Sequence, residues 1–155
     1  MSDKNSVQLI TFKIGDNVYA VDIQSVREVV ETKDIAKLPR ENSYIEGIMN
    51  LRGRIVTLIN LSEVLGIPTA LENKKNSKYK VLISMNDNNR GAIGFIVDHV
   101  LGVLRVSKSD IEKPPLSSSG IVKGVVKSDK GLIVILDINR LISNLGLEGG
   151  SALEQ

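Results

Sequence analysis

The stretch YIEGIMNLRGRIVTLINL, residues 44–61, is the part of the sequence that says most about the fold. Its first third is mostly apolar and leads into the turn-forming run Asn-Leu-Arg-Gly. Residues 54–60 are rich in the β-branched side chains that favour strands. We expect a brief helical turn over 61–65 to end at Gly66, because glycine readily takes the left-handed conformation that closes a helix. The stretch therefore predicts strands interrupted by short helices.

The same pattern continues on both sides of this stretch. Towards the N-terminus, the apolar segments 7–13 and 18–23 flank the sequence Ile-Gly-Asp-Asn, and this turn chemistry predicts a β-hairpin. Residues 23–30 carry apolar side chains three and four apart, which is compatible with a short helix and equally with a return to strand. Towards the C-terminus, the pattern predicts further strands and a closing helix at residues 79–85, 92–97, 121–127, 132–137 and 138–145.

The two halves of the chain resemble each other. The spacing Ile23-x-x-Val26-x-x-Val29 is echoed by Val97-x-x-Val100-x-x-Val103, each time after a strand–turn–strand pattern. Downstream, the apolar pattern that follows Gly53 matches the one that follows Gly131 once a one-residue gap is allowed. Such an internal repeat predicts two related β lobes within a single domain, residues 1–155. We expect the lobe boundary near the polar connector 67–78, and a flexible Gly-rich tail at 146–155.

Composition restricts the classes of function. The chain has no cysteine, which excludes disulfides and thiolate metal sites, and its 20 Lys and Arg are nearly balanced by 18 Asp and Glu. Balanced charge and an aromatic content of 3% disfavour nucleic-acid binding. No apolar run approaches the roughly 20 residues that span a bilayer, and the N-terminus lacks a signal sequence. We therefore expect a cytoplasmic protein without direct membrane insertion.

Catalytic motifs are also missing from the sequence. It contains neither of the common glycine-rich nucleotide cradles, nor a GxSxG elbow, nor an EF-hand loop. The single histidine, His99, is interpreted as structural, and Asp22, Asp98 and Asp137 as carboxylates that cap turns at strand ends. These features predict a non-enzymatic binding module with no catalytic residue, no cofactor and no metal.

The quoted stretch resembles the signature of the CheW family. In that family an aromatic-Ile/Leu-x-Gly run leads through two apolar residues to Asn-Leu-Arg-Gly and an Ile-Val-rich strand, and every step is present at residues 44–61. Residues 94–104 match a second family stretch, and the resemblance covers roughly residues 7–145. The sequence departs from the family pattern at Thr57, where Pro is common, and at Asn60, where Asp is common.

This resemblance implies both a fold and a function. The fold is mainly β, with two SH3-like five-stranded β-barrel lobes that share a hydrophobic core and a few short helices. The function is that of a chemotaxis adaptor, recruited to membrane receptor arrays, which couples the cytoplasmic tips of chemoreceptors to the regulatory domain of the histidine kinase CheA. Positions tied to receptor binding or signalling then fall at Val26, Glu28, Gly47, Arg52, Val81, Gly94, Val100 and Val103.

The residue types suggest how these positions act. Burial statistics favour a core role for the valines, but an adaptor needs an exposed apolar groove, which we expect between the lobes and lined by the two valine segments. Arg52 offers five fixed donors, which suit either a partner's carboxylate or backbone or a contact that pins one lobe to the other, and Glu28 is expected at the rim. The glycines are expected to permit turns or close backbone approach. The kinase contact is expected on another face, in the first lobe, with exposed aliphatic surface.

Three other readings of the residues stay open. One is a CheW-like scaffold in another receptor–kinase pathway, such as pilus-based motility. Another is a small β-barrel that binds RNA, which would require a clustered basic face with exposed aromatics. The third is an enzyme with an unfamiliar site, which would require a deep pocket with converging polar groups.

Overall fold

The computed structural model describes residues 5–39, 43–67, 78–84, 92–114, 120–129 and 131–146. The described chain forms ten strands and two short α-helices. In chain order these are β1 (Ser6–Ile14), β2 (Asn17–Asp22), β3 (Val26–Thr32), β4 (Ile45–Leu51), β5 (Arg54–Asn60), α1 (Leu61–Leu65), β6 (Tyr79–Ser84), β7 (Ala92–Val97), β8 (His99–Ser107), β9 (Val122–Ser128), β10 (Gly131–Leu136) and α2 (Ile138–Asn144). The predicted turn at residues 86–91 and all but the first residue of the predicted tail lie outside the described residues.

The strands form two five-stranded sheets, which confirms the predicted fold class. Sheet A has the order β8-β1-β2-β10-β9, and sheet B has the order β3-β6-β7-β5-β4. The sheets are open rather than closed into barrels: within the described residues, the two edge strands of each sheet do not pair with each other. Instead, a connecting segment forms a short β-bridge with one edge strand of each sheet. Ala36 pairs with Ile48 of β4 in sheet B, and Glu112 pairs with Val125 of β9 in sheet A. These segments use hydrogen bonds that a closing strand would otherwise take.

The two halves of the chain repeat the same topology and exchange strands. Strands β1 to β5 correspond in order to β6 to β10, and each sheet combines the first two strands of one half with the last three of the other. The chain therefore changes sheets at residues 23–25 and at Asp98. This corrects the expected lobe boundary at 67–78, because the strands on both sides of that connector, β5 and β6, belong to sheet B.

The hydrogen-bond registers locate the repeat residue by residue. In sheet B the ladder between β3 and β6 shifts between Val26 and Glu28, and in sheet A the ladder between β8 and β1 shifts between Val100 and Gly102. Each shift is a β-bulge in an edge strand, so Val26 corresponds to Val100, which confirms the predicted echo. The predicted match of Gly53 with Gly131 is wrong by one residue. Arg54 is the first residue after the β4–β5 turn and Gly131 is the first after the β9–β10 turn, so Gly131 corresponds to Arg54.

Three apolar clusters hold this arrangement together. One lies between the sheets and draws on both, which confirms the predicted shared core; Phe12 from sheet A and Phe95 from sheet B are both almost fully buried in it. Each sheet also curls around a smaller core of its own, centred on Val81 in sheet B and on Leu9 in sheet A. Since every strand contributes to at least one of these cores, side-chain burial rather than backbone pairing alone fixes how the sheets meet.

The two helices follow equivalent strands and pack on the shared core. Helix α1 ends at Gly66, whose φ of 69° confirms the predicted glycine stop. Helix α2 begins after Asp137, whose side chain accepts a hydrogen bond from the Arg140 N–H at 3.1 Å. Within the described residues, neither helix has the length and apolar character needed to cross a membrane.

Candidate functional site

The edge strands β3 and β8 expose large aliphatic side chains. On β8, Leu101 is 52% exposed and Val103 is 58% exposed, and on β3 Val29 is 42% exposed. Val29 and Val103 occupy corresponding positions, since Val29 pairs with Leu82 of the neighbouring β6 and Val103 with Ile10 of the neighbouring β1. An edge strand also presents backbone N–H and C=O groups to solvent. We call Leu101 and Val103 the β8 ridge; it offers a partner both apolar contacts and a strand edge.

The structure places the three predicted valines at three different depths. Val26 is 9% exposed and belongs to the shared core, Val100 is half-buried against the same core, and Val103 projects into solvent. This corrects the expectation that all three line an open groove. Val100 and Val103 lie on one face of β8, because the bulge puts them opposite Phe12 and Ile10, which are two residues apart on β1; they differ in exposure and not in the face they occupy.

Arg52 lies in the two-residue turn between β4 and β5. It is a non-glycine residue with positive φ, 52°, and Gly53 follows with φ 87°. Two positive φ values in succession match a type I′ turn, whose backbone twist suits a tight hairpin. The Gly53 N–H donates to Asn50 Oδ1 at 2.8 Å, which fastens the turn. The left-handed conformation of Arg52 costs on the order of 1 kcal/mol, so the turn is held by its surroundings.

Arg52 and Glu28 form an ion pair across sheet B. The Arg52 Nη2 donates to Glu28 Oε2, while the Arg52 side chain remains 68% exposed and that of Glu28 28% exposed. The structure therefore brings together two of the predicted residues that are distant in sequence. An exposed pair of this kind adds little stability, and the arginine keeps further donors for a partner.

The ion pair stands at the rim of a cleft of about 270 Å³ in sheet B. Its lining divides into charged residues and buried apolar residues: Arg27, Glu28, Leu51, Arg52, Arg54, Val56, Ile83 and Ala92. The apolar members Val56, Ile83 and Ala92 belong to the core of sheet B. The charged members give the cleft an excess of positive charge, which suits an acidic or carbonyl-rich surface of a partner.

The remaining predicted residues act through packing. A Cβ added to Gly94 would lie 2.6 Å from Cγ1 of Val81, which is fully buried, and one added to Gly47 would lie 2.4 Å from the carbonyl oxygen of Ala36. Contacts this short are sterically forbidden, so both positions require glycine. The predicted role of these glycines in close approach is thereby confirmed. Val81 and Gly94 keep β6 and β7 tightly packed beneath the cleft.

The polar residues that sequence reasoning singled out as non-catalytic serve the turns. Asp98 is buried and accepts a hydrogen bond from the Gly15 N–H at 2.7 Å, and Asp22 accepts one from the Gln24 N–H at 2.8 Å. His99 is exposed on β8 and not packed in the core. Among the residues that the structure describes, no three potential metal ligands cluster.

Sequence reasoning missed the exposed aliphatic residues outside the valine segments. Ile55 is 50% exposed and Leu132 is 60% exposed, and both lie just after the hairpin turn of their sheet. The alternation alone could not reveal them: Ile55 and Val56 face opposite sides of β5, but so do Leu58 and Ile59, which are both fully buried. An apolar residue at such a position marks a contact surface once the strand is known to be at or near an edge.

Comparison with known proteins extends over nearly the whole chain. Residues 8–146 match the family described as CheW-like domain. The chemotaxis protein CheW of Thermotoga maritima is 32% identical over 145 residues, which covers 92% of each chain. The chemotaxis protein CheW of Treponema pallidum is 32% identical over 148 residues, covering 91% of this chain and 85% of that protein. The crystal structure of the scaffolding protein TtCheW from Thermoanaerobacter tengcongensis is similar with a TM-score of 0.72 and 31% identity, covering 84% of this chain and 88% of that chain.

Proposed function

The chain belongs to the CheW family and is a chemotaxis scaffold, and from this premise we propose that it couples the cytoplasmic tips of chemoreceptors to the regulatory domain of the histidine kinase CheA. The family is one of non-catalytic adaptors, and we propose that this chain likewise has no enzymatic activity. It would work in the cytoplasm and reach the membrane only through its receptor partners. The chemotaxis relatives favour this reading over an RNA-binding barrel.

The observation that carries the receptor contact is the β8 ridge. Leu101 and Val103 are more than half exposed, and the half-buried Val100 beside them leads from solvent into the shared core. A receptor tip is a helical hairpin, and a helix binds by laying an apolar stripe against an apolar surface. The ridge supplies such a surface, and Val26 supports it from within the shared core.

The ion pair of Arg52 and Glu28 would set the orientation of the partner. Its members are partly exposed, so water screens their contribution to affinity, whereas charge at an interface rim mainly affects the rate and geometry of association. Arg52 retains donors beyond the one that contacts Glu28, and these would bind receptor carboxylates or backbone carbonyls.

The kinase contact would use the face of β5 in sheet B that carries Ile55, opposite the face whose Val56 lines the cleft beside Arg52. Ile55 is half exposed there, at a position close to the tight turn. The regulatory domain of CheA resembles CheW itself, so a contact between the two would be heterologous and able to close rings. Separate receptor and kinase surfaces are what an adaptor requires.

Kinase activity in a reconstituted system tests this function. Receptor membranes and CheA are combined with and without the protein, and we expect receptor control of kinase activity only when the protein is present. No change in kinase activity on adding the protein would remove the coupling function.

Two exposed substitutions separate the proposed surfaces. Val103→Glu should reduce capture by receptor membranes about tenfold and leave CheA binding unchanged, while Ile55→Glu should do the reverse. Lys127→Glu, on an exposed site of sheet A, is the control for added negative charge. Equal loss of both partners in either single variant would mean that the two surfaces are not distinct. The same assay with the receptors and kinase of a pilus-motility system tests the alternative pathway. Binding to these partners in place of the chemotaxis ones would favour it.

A further inference from the structure

A cavity of about 620 Å³ opens in sheet A and takes no part in the proposed receptor or kinase contacts. Residues from all five strands of sheet A and from the segments that follow β2 and β8 line it: Ser6, Val7, Gln8, Leu9, Asp22, Ile23, Gln24, Arg105, Lys108, Ile111, Lys123 and Ile135. The lining includes the buried Leu9 and Ile135 and the partly exposed Val7, Ile23 and Ile111, which together give the cavity an apolar floor. Its volume lies within the range of small-molecule sites.

Three cations stand around this apolar floor. Arg105, Lys108 and Lys123 are all exposed, and none of the ion pairs found among the described residues includes them. The one carboxylate in the lining, Asp22, already accepts the backbone N–H of Gln24 at 2.8 Å. The lining thus carries a net positive charge that the surrounding described side chains leave unneutralised.

The equivalent positions in sheet B carry the opposite charge. Arg105 pairs with Gln8 three rungs beyond the bulge of β8, and Glu31 pairs with Lys80 three rungs beyond the bulge of β3. The fold therefore requires no positive charge at this position. Glu31 forms ion pairs with Lys80 and Lys78, so its negative charge is neutralised by neighbouring side chains, unlike the positive charge of Arg105.

A second position shows the same inversion. Lys123 is the residue left out of the β9–β10 ladder at its bulge, and Glu46 is the corresponding residue of the β4–β5 ladder. Glu46 is paired with Lys37 at 2.9 Å. At a third position, sheet B has Tyr79 where sheet A has the smaller Val7. Tyr79 packs against the core of sheet B. Sheet A thus has smaller side chains and uncompensated cations at the place where sheet B has a larger side chain and ion pairs.

We propose that this cavity binds a small organic anion, with one or two carboxylates and an apolar body. The apolar body would lie against the partly exposed Val7, Ile23 and Ile111 and gain free energy from burial, while the carboxylates would lie near Arg105 and Lys123. Recognition combines size, an apolar floor and charge, the features that distinguish a ligand site from a solvated basic patch. The inference concerns sheet A alone and does not depend on receptor or kinase binding.

Calorimetric titration of the purified chain tests the proposal. The probe is isophthalate, which has an apolar ring and two carboxylates, and its uncharged diamide and inorganic phosphate are run alongside. We expect saturable binding of isophthalate that weakens with added salt, with the diamide and phosphate each at least about tenfold weaker. Equal affinity for the diamide would overturn recognition by charge, and equal affinity for phosphate would overturn the role of the apolar floor.

Matched charge reversals locate the site. Arg105→Glu combined with Lys123→Glu should weaken isophthalate binding at least about tenfold, whereas Lys127→Glu, on the same sheet but outside the cavity, should leave it unchanged. Circular dichroism and thermal unfolding establish that each variant is folded. For folded variants, undiminished binding in the double variant, or equal loss in Lys127→Glu, would place the anion elsewhere and refute the proposal. If the double variant fails to fold, the single variant Lys123→Gln in the same titration decides, with a several-fold weaker affinity expected and an unchanged affinity counting against the site.

Discussion

Sheets A and B have one topology and opposite surface chemistry. Their strand orders superimpose, and their bulges fall at corresponding rungs. Yet at the bulge of the edge strand sheet B has Glu28 where sheet A has Gly102, and at the hairpin turn sheet B has Arg52 where sheet A has Asp129. The ion pair therefore exists in sheet B alone. The comparison shows that the repeat fixes the scaffold, while the residues that break the repeat give the two sheets different charged surfaces.

Exposed aliphatic residues, by contrast, follow the repeat. Val29 corresponds to Val103, and Ile55 corresponds to Leu132, and all four are at least 42% exposed. Each sheet thus has an apolar patch on an edge strand and another beside a hairpin turn. Such pairs give the molecule two similar apolar surfaces, and under the proposed function the unmatched charges would decide which partner each of them accepts.

The largest expected difference between the sheets concerns Val26 and Val100. Val26→Asp would bury a charge in the shared core and should lower the free energy of unfolding by about 3–5 kcal/mol. Val100→Asp should cost less, about 1–3 kcal/mol, because its side chain is half-buried and a carboxylate can reach water. Urea unfolding followed by circular dichroism measures both. Equal losses would show that the two edge strands are buried alike.

The next largest difference in the free energy of unfolding is expected between Gly47 and Gly124, which each pack against a connecting segment. A Cβ on Gly47 would lie 2.4 Å from a backbone oxygen, whereas one on Gly124 would lie 2.5 Å from the Ile111 side chain and 3.1 Å from backbone. A side chain yields more easily than backbone. Gly47→Ala should therefore cost about 2–3 kcal/mol and Gly124→Ala about 1–2 kcal/mol in the free energy of unfolding.

The same urea unfolding measurement decides between these two glycines. The exposed Gly53, whose added Cβ would meet no atom within 4 Å, gives a reference in which only backbone conformation is at issue. If Gly124→Ala were the more costly change, the segment before β9 would have to be the more rigid of the two.

A smaller effect on stability, with a larger one on function, is expected in the turns. Arg52→Asn removes the ion pair but places a residue that tolerates positive φ before Gly53, so stability should change by less than about 1 kcal/mol. Receptor control of kinase activity should nonetheless fall several-fold in the reconstituted assay. Asp129→Asn, at the equivalent turn of sheet A, is the control and should preserve coupling. Full coupling by Arg52→Asn would leave the pair a purely structural role.

The smallest effect is a pH dependence confined to sheet B. The hydrogen bond from Lys80, together with the charges of Lys80 and Lys78, lowers the pKa of Glu31 below its ordinary value of 4.5. Because the folded pKa is the lower one, the pair stabilises the fold above the ordinary pKa, and this contribution is lost as pH falls through the folded pKa. The group is fully exposed, so the change in stability is slight.

Carboxyl NMR titration measures this shift directly. Lys80→Met should raise the titration midpoint of Glu31 towards its ordinary value, while Lys127→Met on sheet A should leave it in place. A midpoint that does not move in Lys80→Met would assign the shift to another group.

Much of the fold follows from local signals, because hairpin turns and strand composition act within a few residues. Gly15 and Gly66 stand where the turn and helix-stop chemistry predicted them, with φ of 60° and 69°. The exchange of strands between the halves leaves no such signal, since the pairing of β1 with β8 depends on residues about ninety positions apart. The segment 23–30 was ambiguous because it is a brief 3-10 turn followed by a strand with apolar residues on both faces.

The candidate site was predictable only in part. The ion pair of Glu28 and Arg52 depends on a bulge and a left-handed turn, and neither the strand periodicity nor the residue types reveal which side chains those features bring together. The cavity in sheet A is likewise formed by residues that are distant in sequence, such as Leu9 and Lys123, and only the tertiary fold brings them together.

The passage of the chain from sheet A to sheet B and back has a consequence for biosynthesis. All strands of sheet B lie between Val26 and Val97, so this sheet can form as soon as that segment has left the ribosome. The first hairpin, β1–β2, must wait for β8 to β10 before its neighbours exist. Until those strands emerge, β1 and β2 have only each other to pair with, and the face that carries Phe12 and Tyr19 can be covered only by sheet B, with which it shares a core.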